Sequence, residues 1–222
     1  RSALISLSNL SDQRLRVAKS GAWWETNPER ALANNSVAYT ETPDVGMFMK
    51  EWLALFESKS GERGIFNRVS AQEKAKENGR RKSDYAFGTN PCSEIILRPN
   101  QFCNLTEVVC RPADTVETLK NKIEVATILG TIQATLTNFG YLRKRWKDNT
   151  EEERLLGVSL TGIMDNSILS RIRSTLPETL QDMRQKAVSV NKEWSEKLGI
   201  PQSTAITCVK PSGTVSQLVD SA

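Results

Sequence analysis

Apolar residues recur at three-to-four spacing in three long stretches of the chain, and that spacing predicts amphipathic helices. The first runs through Val45, Phe48, Met49, Trp52, Leu55 and Phe56, opened by Thr42-Pro43 and ending near Gly61. The second and longest carries Val116, Leu119, Ile123, Ile128, Ile132, Leu136 and Phe139 between Asp114 and Gly140. The third carries Leu180, Met183, Ala187, Val190, Trp194 and Leu198 and stops at Gly199 and Pro201. Shorter helices are expected over 12–18 behind Ser11, from the capping box Ser70-Ala71-Gln72-Glu73 to Gly79, and in the acidic stretch that begins at Thr150. Between them, 3–7, 36–40, 155–160 and 204–209 read as short strands. Adjacent Trp23 and Trp24 cannot both face one side, so one of them packs inward and the other lines a surface or pocket. Helices and strands thus alternate, which predicts an α/β architecture with its sheet buried between or inside helices.

The rhythm disappears over 89–111. This stretch holds Ile95, Ile96, Leu97, Phe102, Leu105, Val108 and Val109, interrupted by Pro91, Pro99 and Asn100. Apolar residues without a period predict a loop buried inside the protein. Such a loop is costly, because its backbone groups need partners, and its presence points to function.

Composition narrows the chemistry. The 222 residues are 38% hydrophobic and 25% charged, enough for one sizeable core in a single domain, and neither end carries the cap or turn signals that close a domain, so the chain reads as an internal segment. Thirty Lys and Arg against 26 Asp and Glu leave a scattered charge of +4. Arg80-Arg81-Lys82 reads as a solvated loop rather than a nucleic-acid arm, though a weak positive field would attract small phosphorylated substrates. No apolar run is long enough for a membrane span and no signal-peptide pattern is present, so a cytoplasmic location is expected. There is no histidine, which removes imidazole bases and ligands. The four cysteines, Cys92, Cys103, Cys110 and Cys208, lack paired CxxC spacing, and no metal site is expected from them.

Asn90-Pro91-Cys92-Ser93-Glu94 places an amide, a thiol and a carboxyl at alternate positions. In an extended segment all three face one side, where they offer a donor and acceptor, a sulfur and a base to one ligand. Alone, the same residues are also what a packed cysteine, a turn and a solvated glutamate look like. A second cysteine follows in Phe102-Cys103-Asn104-Leu105, and near the end comes Lys210-Pro211-Ser212-Gly213-Thr214. Together with Leu156-Gly157-Val158-Ser159-Leu160-Thr161-Gly162 between them, these motifs resemble ribonucleotide reductase. The short Cys92–Cys103 spacing and Pro91 resemble the adenosylcobalamin-dependent class more than the glycyl-radical or diiron-tyrosyl classes.

The resemblance implies part of a ten-stranded α/β barrel, with the Cys92 loop as a finger through its centre and residues 1–222 as one segment of that domain. It implies that Cys92 becomes a thiyl radical that takes hydrogen from ribose C3′, that Glu94 takes the 3′-hydroxyl proton, and that Asn90 hydrogen-bonds the sugar hydroxyls. Cys103 would be one of two thiols that supply the electrons and close into a disulfide, its partner lying before the region present here. Pro211, Ser212, Gly213, Thr214, Val215 and Ser216 would hold the substrate phosphates, and Arg1-Ser2 would be the remnant of a loop that reports effector identity. Adenosylcobalamin, a ribonucleotide, a deoxynucleotide effector and a thioredoxin-like or other dithiol reductant are the implied partners, with no direct DNA binding. A neutral thiyl suits a dry, apolar setting of the kind Ile95, Ile96 and Leu97 offer, and a nearby carboxylate disfavours thiolate. Cys110 and Cys208 read as packing residues. The competing expectation is an inert or partner-binding α/β fragment, and on either view the isolated chain is expected not to turn over.

Overall fold

A computed structural model describes residues 3–59, 64–77 and 79–221, and divides the chain into two compact units, 1–99 and 100–222. Arg1, Ser2 and Gly61 lie outside the described residues.

The first unit begins with β1 (Ala3–Ser8), α1 (Gln13–Arg16), α2 (Trp23–Thr26) and a 3-10 turn at Pro28–Leu32. It continues with β2 (Ala33–Tyr39), α3 (Val45–Ser58), β3 (Gly64–Asn67) and α4 (Arg68–Lys76). Strands β1, β2 and β3 form a parallel sheet in that order. Caps sit close to where the sequence puts them: Asp12 rather than Ser11 accepts the Leu15 N–H at 3.0 Å, and Asn67 rather than Ser70 starts α4.

Helix α3 is turned the other way from the expectation. Met49, Trp52, Leu53 and Phe56 are exposed, and the residue buried completely is Glu51, whose carboxylate accepts the Arg16 Nε–H at 2.9 Å. Periodicity locates an apolar stripe but not its direction; here Phe48, Glu51 and Leu55 occupy the inward row, with Phe48 against Tyr39. Of the tryptophan pair, Trp24 is exposed and Trp23 half-buried under the Lys19 ammonium.

The unit ends in a hairpin, with β4 (Gly88–Thr89) antiparallel to β5 (Ile96–Leu97). Beneath it Phe87 is fully buried with Ala71 and Ala75. The expected aperiodic loop is therefore a two-residue ladder closed by a tight turn.

The second unit contains β6 (Asn104–Val109), α5 (Val116–Gln133), α6 (Lys144–Glu153), β7 (Leu156–Thr161), α7 (Leu176–Leu198) and α8 (Thr214–Leu218). Strand β6 occupies the second half of the supposed loop and pairs in parallel with β7 from Asn104–Leu156 to Val109–Thr161. Residues 204–208 run along the other edge of β7: Leu156 N–H donates to Ala205 O, Val158 N–H to Ile206 O and Cys208 N–H to Val158 O, at 2.8 to 3.1 Å. The expected strand 204–209 is thus reduced to a parallel bridge, Val158 to Thr207.

Helices α5 and α7 pack together over this sheet, and Gly130 brings α5 close enough that a Cβ there would lie 3.1 Å from Leu156 Cδ2. Leu119, Ile123, Leu156, Val158, Met183 and Ala187 form the middle of the core. Helix α5 ends at Gln133, short of Gly140, because the Arg154 guanidinium takes the Ala134 carbonyl and the Thr135 hydroxyl takes that of Ile132. Helix α7 ends where Gly199 adopts φ 64°, as a left-handed C-cap requires. Among the described residues no helix is long and apolar enough to cross a membrane.

Candidate active site

Asn90 builds the turn that carries Cys92. Its carbonyl accepts the Ser93 N–H at 3.0 Å, its N–H donates to Ile95 O at 3.3 Å, and its side-chain Oδ1 accepts the Ile95 N–H at 3.0 Å. Ser93 takes the left-handed conformation, φ 66°, and its hydroxyl lies 3.4 Å from that of Thr89. Asn34, on β2, donates from Nδ2 to Pro91 O at 2.6 Å and ties the tip to that strand.

Residues 90–94 are therefore a turn and not an extended run, so alternation does not set where Asn90, Cys92 and Glu94 point. Cys92 is exposed, against the expectation of a dry apolar setting. The reason lies in the hairpin: Ile95 is buried at its base and Ile96 packs toward Phe87, so the apolar residues sit under the turn instead of around the sulfur. Glu94 is half-buried with both carboxylate oxygens shielded from solvent. With Oδ1 committed to Ile95, the Asn90 side chain keeps its NH₂ group for an external acceptor.

The support under the hairpin is cationic, which the sequence reading missed. The Arg81 guanidinium lies 4.7 Å above the Phe87 ring and that of Arg98 lies 3.8 Å above the Tyr85 ring. Both arginines are buried, so Arg80-Arg81-Lys82 is not simply a solvated loop. Arg68 Nε–H donates to Phe87 O at 2.9 Å and Gln72 to Tyr85 O at 3.1 Å. The available signal was the pairing of these arginines with the only closely spaced Tyr and Phe before the hairpin, Tyr85 and Phe87.

Cys103, in the second unit, is half-buried immediately before β6, next to Phe102, which packs on Trp146 and Phe139 at 4.6 and 5.1 Å between ring centroids. Cys208 is half-buried beside β7. Cys110 is fully buried in the core; burial first, and then the Asp114 carboxylate, push its thiol up to about 11.

Residues 211–216 leave the carboxyl end of the parallel pair β6–β7, where open α/β sheets place their ligands. Lys210 N–H is fixed to Ser159 Oγ at 3.0 Å, and the chain turns through Pro211, Ser212 and Gly213 into α8. A Cβ at Gly213 would meet nothing within 4 Å, so the backbone there is open to close approach. The Ser212 hydroxyl is shielded from solvent with no hydrogen-bond partner among the described residues. Thr214 is exposed and Val215 half-buried. Ser216 differs from its expected role: its hydroxyl donates to Ser212 O at 2.6 Å and lies 3.1 Å from Gly213 O, so it closes the loop instead of facing outward.

Cys92, Asn90 and Glu94 thus belong to the first unit, and Cys103 with 211–216 to the second. Arg1 and Ser2 are outside the described residues.

No protein-family model matches the chain. Curated proteins do. The chain is 29% identical to the adenosylcobalamin-dependent ribonucleoside-triphosphate reductase of Lacticaseibacillus paracasei, over 98% of this chain and 32% of that protein. It is 30% identical to the enzyme of the same name from Euglena gracilis, over 87% of this chain and 26% of that one, and 28% identical to that of Lactobacillus leichmannii, over 98% and 32%. Among solved structures, a B-12 dependent (class II) ribonucleotide reductase matches 97% of this chain and 33% of its own, with TM-score 0.70 and 23% identity. The alpha subunit of an Actinobacillus ureae class Id reductase matches 94% of this chain with TM-score 0.58 and 16% identity. The chain spans about a third of the length of the first curated relatives it matches. By sequence it is a relative of the adenosylcobalamin-dependent reductases, and by fold it is a mixed α/β segment of the class II ribonucleotide reductase architecture.

Proposed function

We propose that the chain is the part of a ribonucleotide reductase that carries the radical cysteine, its acid–base partner and the substrate-phosphate loop, with both units belonging to one catalytic barrel. The observation that carries this reading is the hairpin: a turn cross-braced by Asn90 presents Cys92 at an exposed tip, flanked by Asn90 and Glu94, in a chain aligned almost end to end with named reductases.

Once Cys92 holds a thiyl radical, it takes a hydrogen atom from C3′ of the ribose and becomes a thiol. Glu94 removes the 3′-hydroxyl proton, helped by oxygens shielded from water, while the Asn90 NH₂ donates to a sugar hydroxyl. The 2′-hydroxyl leaves as water, and Cys103 with a second thiol supplies two electrons and closes into a disulfide, so ribonucleotide and dithiol become deoxyribonucleotide, disulfide and water. Returning the hydrogen to C3′ regenerates the thiyl. Ser212, Gly213, Thr214 and Val215 hold the phosphates through backbone N–H groups and the Ser212 and Thr214 hydroxyls, Pro211 sets the turn that leads into them without donating, and Ser216 keeps the loop closed.

Adenosylcobalamin enters this reading as the cofactor of the relatives. The chain has no histidine to offer the cobalt as a ligand, and the reading assigns this chain no cobalamin contacts. A ribonucleoside triphosphate as substrate, a deoxynucleotide effector, a dithiol reductant of the thioredoxin type and a cytoplasmic setting complete the proposal.

The test is Cys92→Ser in a catalytically competent protein containing this chain, supplied with ribonucleoside triphosphate, adenosylcobalamin and dithiol. Deoxynucleotide formation should disappear while the circular dichroism spectrum is unchanged. Undiminished product from C92S would overturn the reading and favour an inert or partner-binding scaffold. Multiple turnovers by the 222 residues alone would equally contradict it.

A further inference from the structure

Arg111 has no place in the mechanism, yet it is one of the most firmly held side chains near the phosphate loop. Its guanidinium donates to two carbonyls just past α8, Nη2 to that of the C-cap Val219 at 2.6 Å and Nη1 to that of Asp220 at 2.9 Å. These carbonyls lie where a helix runs out of internal partners, and a cation there also complements the helix dipole. A helix of five residues is marginal by itself, so an external clamp decides whether it keeps its shape.

The backbone of Arg111 is fixed just as closely. Its N–H donates to Asp114 Oδ2 at 2.7 Å, and its carbonyl accepts from Asn166 Nδ2 at 2.9 Å. Asn166 is fully buried and satisfied: Nδ2 also reaches Asp114 O, and Oδ1 accepts the Ile168 and Leu169 N–H groups. Gly162, at φ +73°, closes the corner, since a Cβ there would lie 2.4 Å from Cys110 O and 3.2 Å from Ser221 Cβ. The carboxyl ends of β6 and β7 and the far end of α8 are thus drawn into one packed corner.

We propose that Arg111 is a positioning residue for the substrate phosphates: by gripping α8 it fixes the direction of loop 211–213 and the outward face of Thr214. Arg111 does not touch the phosphates. The inference rests on the reading of 211–216 as the phosphate loop.

The test compares Arg111→Met, Arg111→Lys and the loop variant Ser212→Ala/Thr214→Val in the catalytically competent protein containing this chain. KM and kcat are measured with a ribonucleoside triphosphate, and binding of the matching unphosphorylated ribonucleoside is measured by competition. R111M should raise KM for the triphosphate about tenfold with kcat within about twofold, and leave ribonucleoside binding unchanged. R111K keeps the charge but not the two-pronged grip, and should recover part of the loss. If R111M leaves KM unchanged while the loop variant raises it, the positioning role is wrong and the loop reading survives. If neither raises KM, the loop reading itself falls and takes the inference with it. Equal weakening toward triphosphate and ribonucleoside would also overturn the role, because a general loss of structure does not single out phosphate. Should R111M fail to fold, R111K carries the same comparison with a smaller shift.

Discussion

The Cys92 hairpin rests on two ladder pairs, Gly88 with Leu97 and Thr89 with Ile96, and on a small buried cluster in which Phe87 is the one large side chain. Loop 211–216 grows instead from a segment bonded along β7, over a core shared by α5, α7 and two parallel strands. The hairpin is held by turn hydrogen bonds and stacked guanidinium groups, the loop by continuous packing. An exposed tip cannot draw support from burial, so its support moves to the base; a loop that leaves an ordered segment can be built directly onto the core.

The two modes of support separate most strongly at Phe87. Phe87→Ala removes the anchor under the hairpin, along with the ring beneath Arg81, and should cost about 3–5 kcal/mol. Hydrogen exchange should show the loss in 64–99, with protection of β6 and β7 retained. Equal loss in both places would mean that the two elements share one cooperative support.

A smaller effect is expected inside the second unit. Asn191 is fully buried, donates to Thr131 Oγ1 and Ser203 Oγ, and accepts the Ser203 N–H, all at 3.0 Å. Asn191→Ala leaves that N–H buried without its acceptor and should cost about 1–3 kcal/mol by denaturant unfolding. The hairpin should be unaffected, and a Cys92 thiol-labelling rate identical to that of the unsubstituted chain would show it.

These differences also explain what could be read in advance. Helix α7 and the first half of α5 bury the expected Leu119, Ile123, Met183, Ala187 and Val190, and β7 is an almost continuous buried run, so these and the stop at Gly199 were legible; farther along, the expected Ile132 and Leu136 are exposed, and Ala126, Thr127, Gly130 and Thr131 of α5 face the core instead. The hairpin was not, because two-residue strands are too short to show alternation and their burial comes from Arg81 and Arg98, which a polarity pattern counts as surface. Strand β6 was hidden by Asn104 and Glu107, and α3 showed its stripe without showing that the stripe faces outward. Cys92, Asn90 and Glu94 stand out by motif as candidates, but the turn that Asn90 builds depends on a side-chain-to-backbone bond that no spacing rule anticipates.

The smallest effect tests the corner that holds Arg111. Although burial alone would raise the Asp114 carboxyl, hydrogen bonds from Lys122, the Arg111 N–H and the Thr118 hydroxyl outweigh it and hold the group below its ordinary value of 3.8. Because the folded pKa lies below the unfolded one, the stabilisation is complete above pH 3.8 and is lost as pH falls from there through the folded value. Asp114 is largely covered but Lys122 is 39% exposed, so solvent screening limits the contribution to about 1 kcal/mol. Asp114→Asn keeps the shape and removes the charge. It should lower stability by that amount at pH 7 and approach the stability of the unsubstituted chain as the pH drops through the window. A difference that stays constant down to pH 2 would show that shape, and not charge, holds the corner, and would leave the continuous packing of the second unit as its whole support.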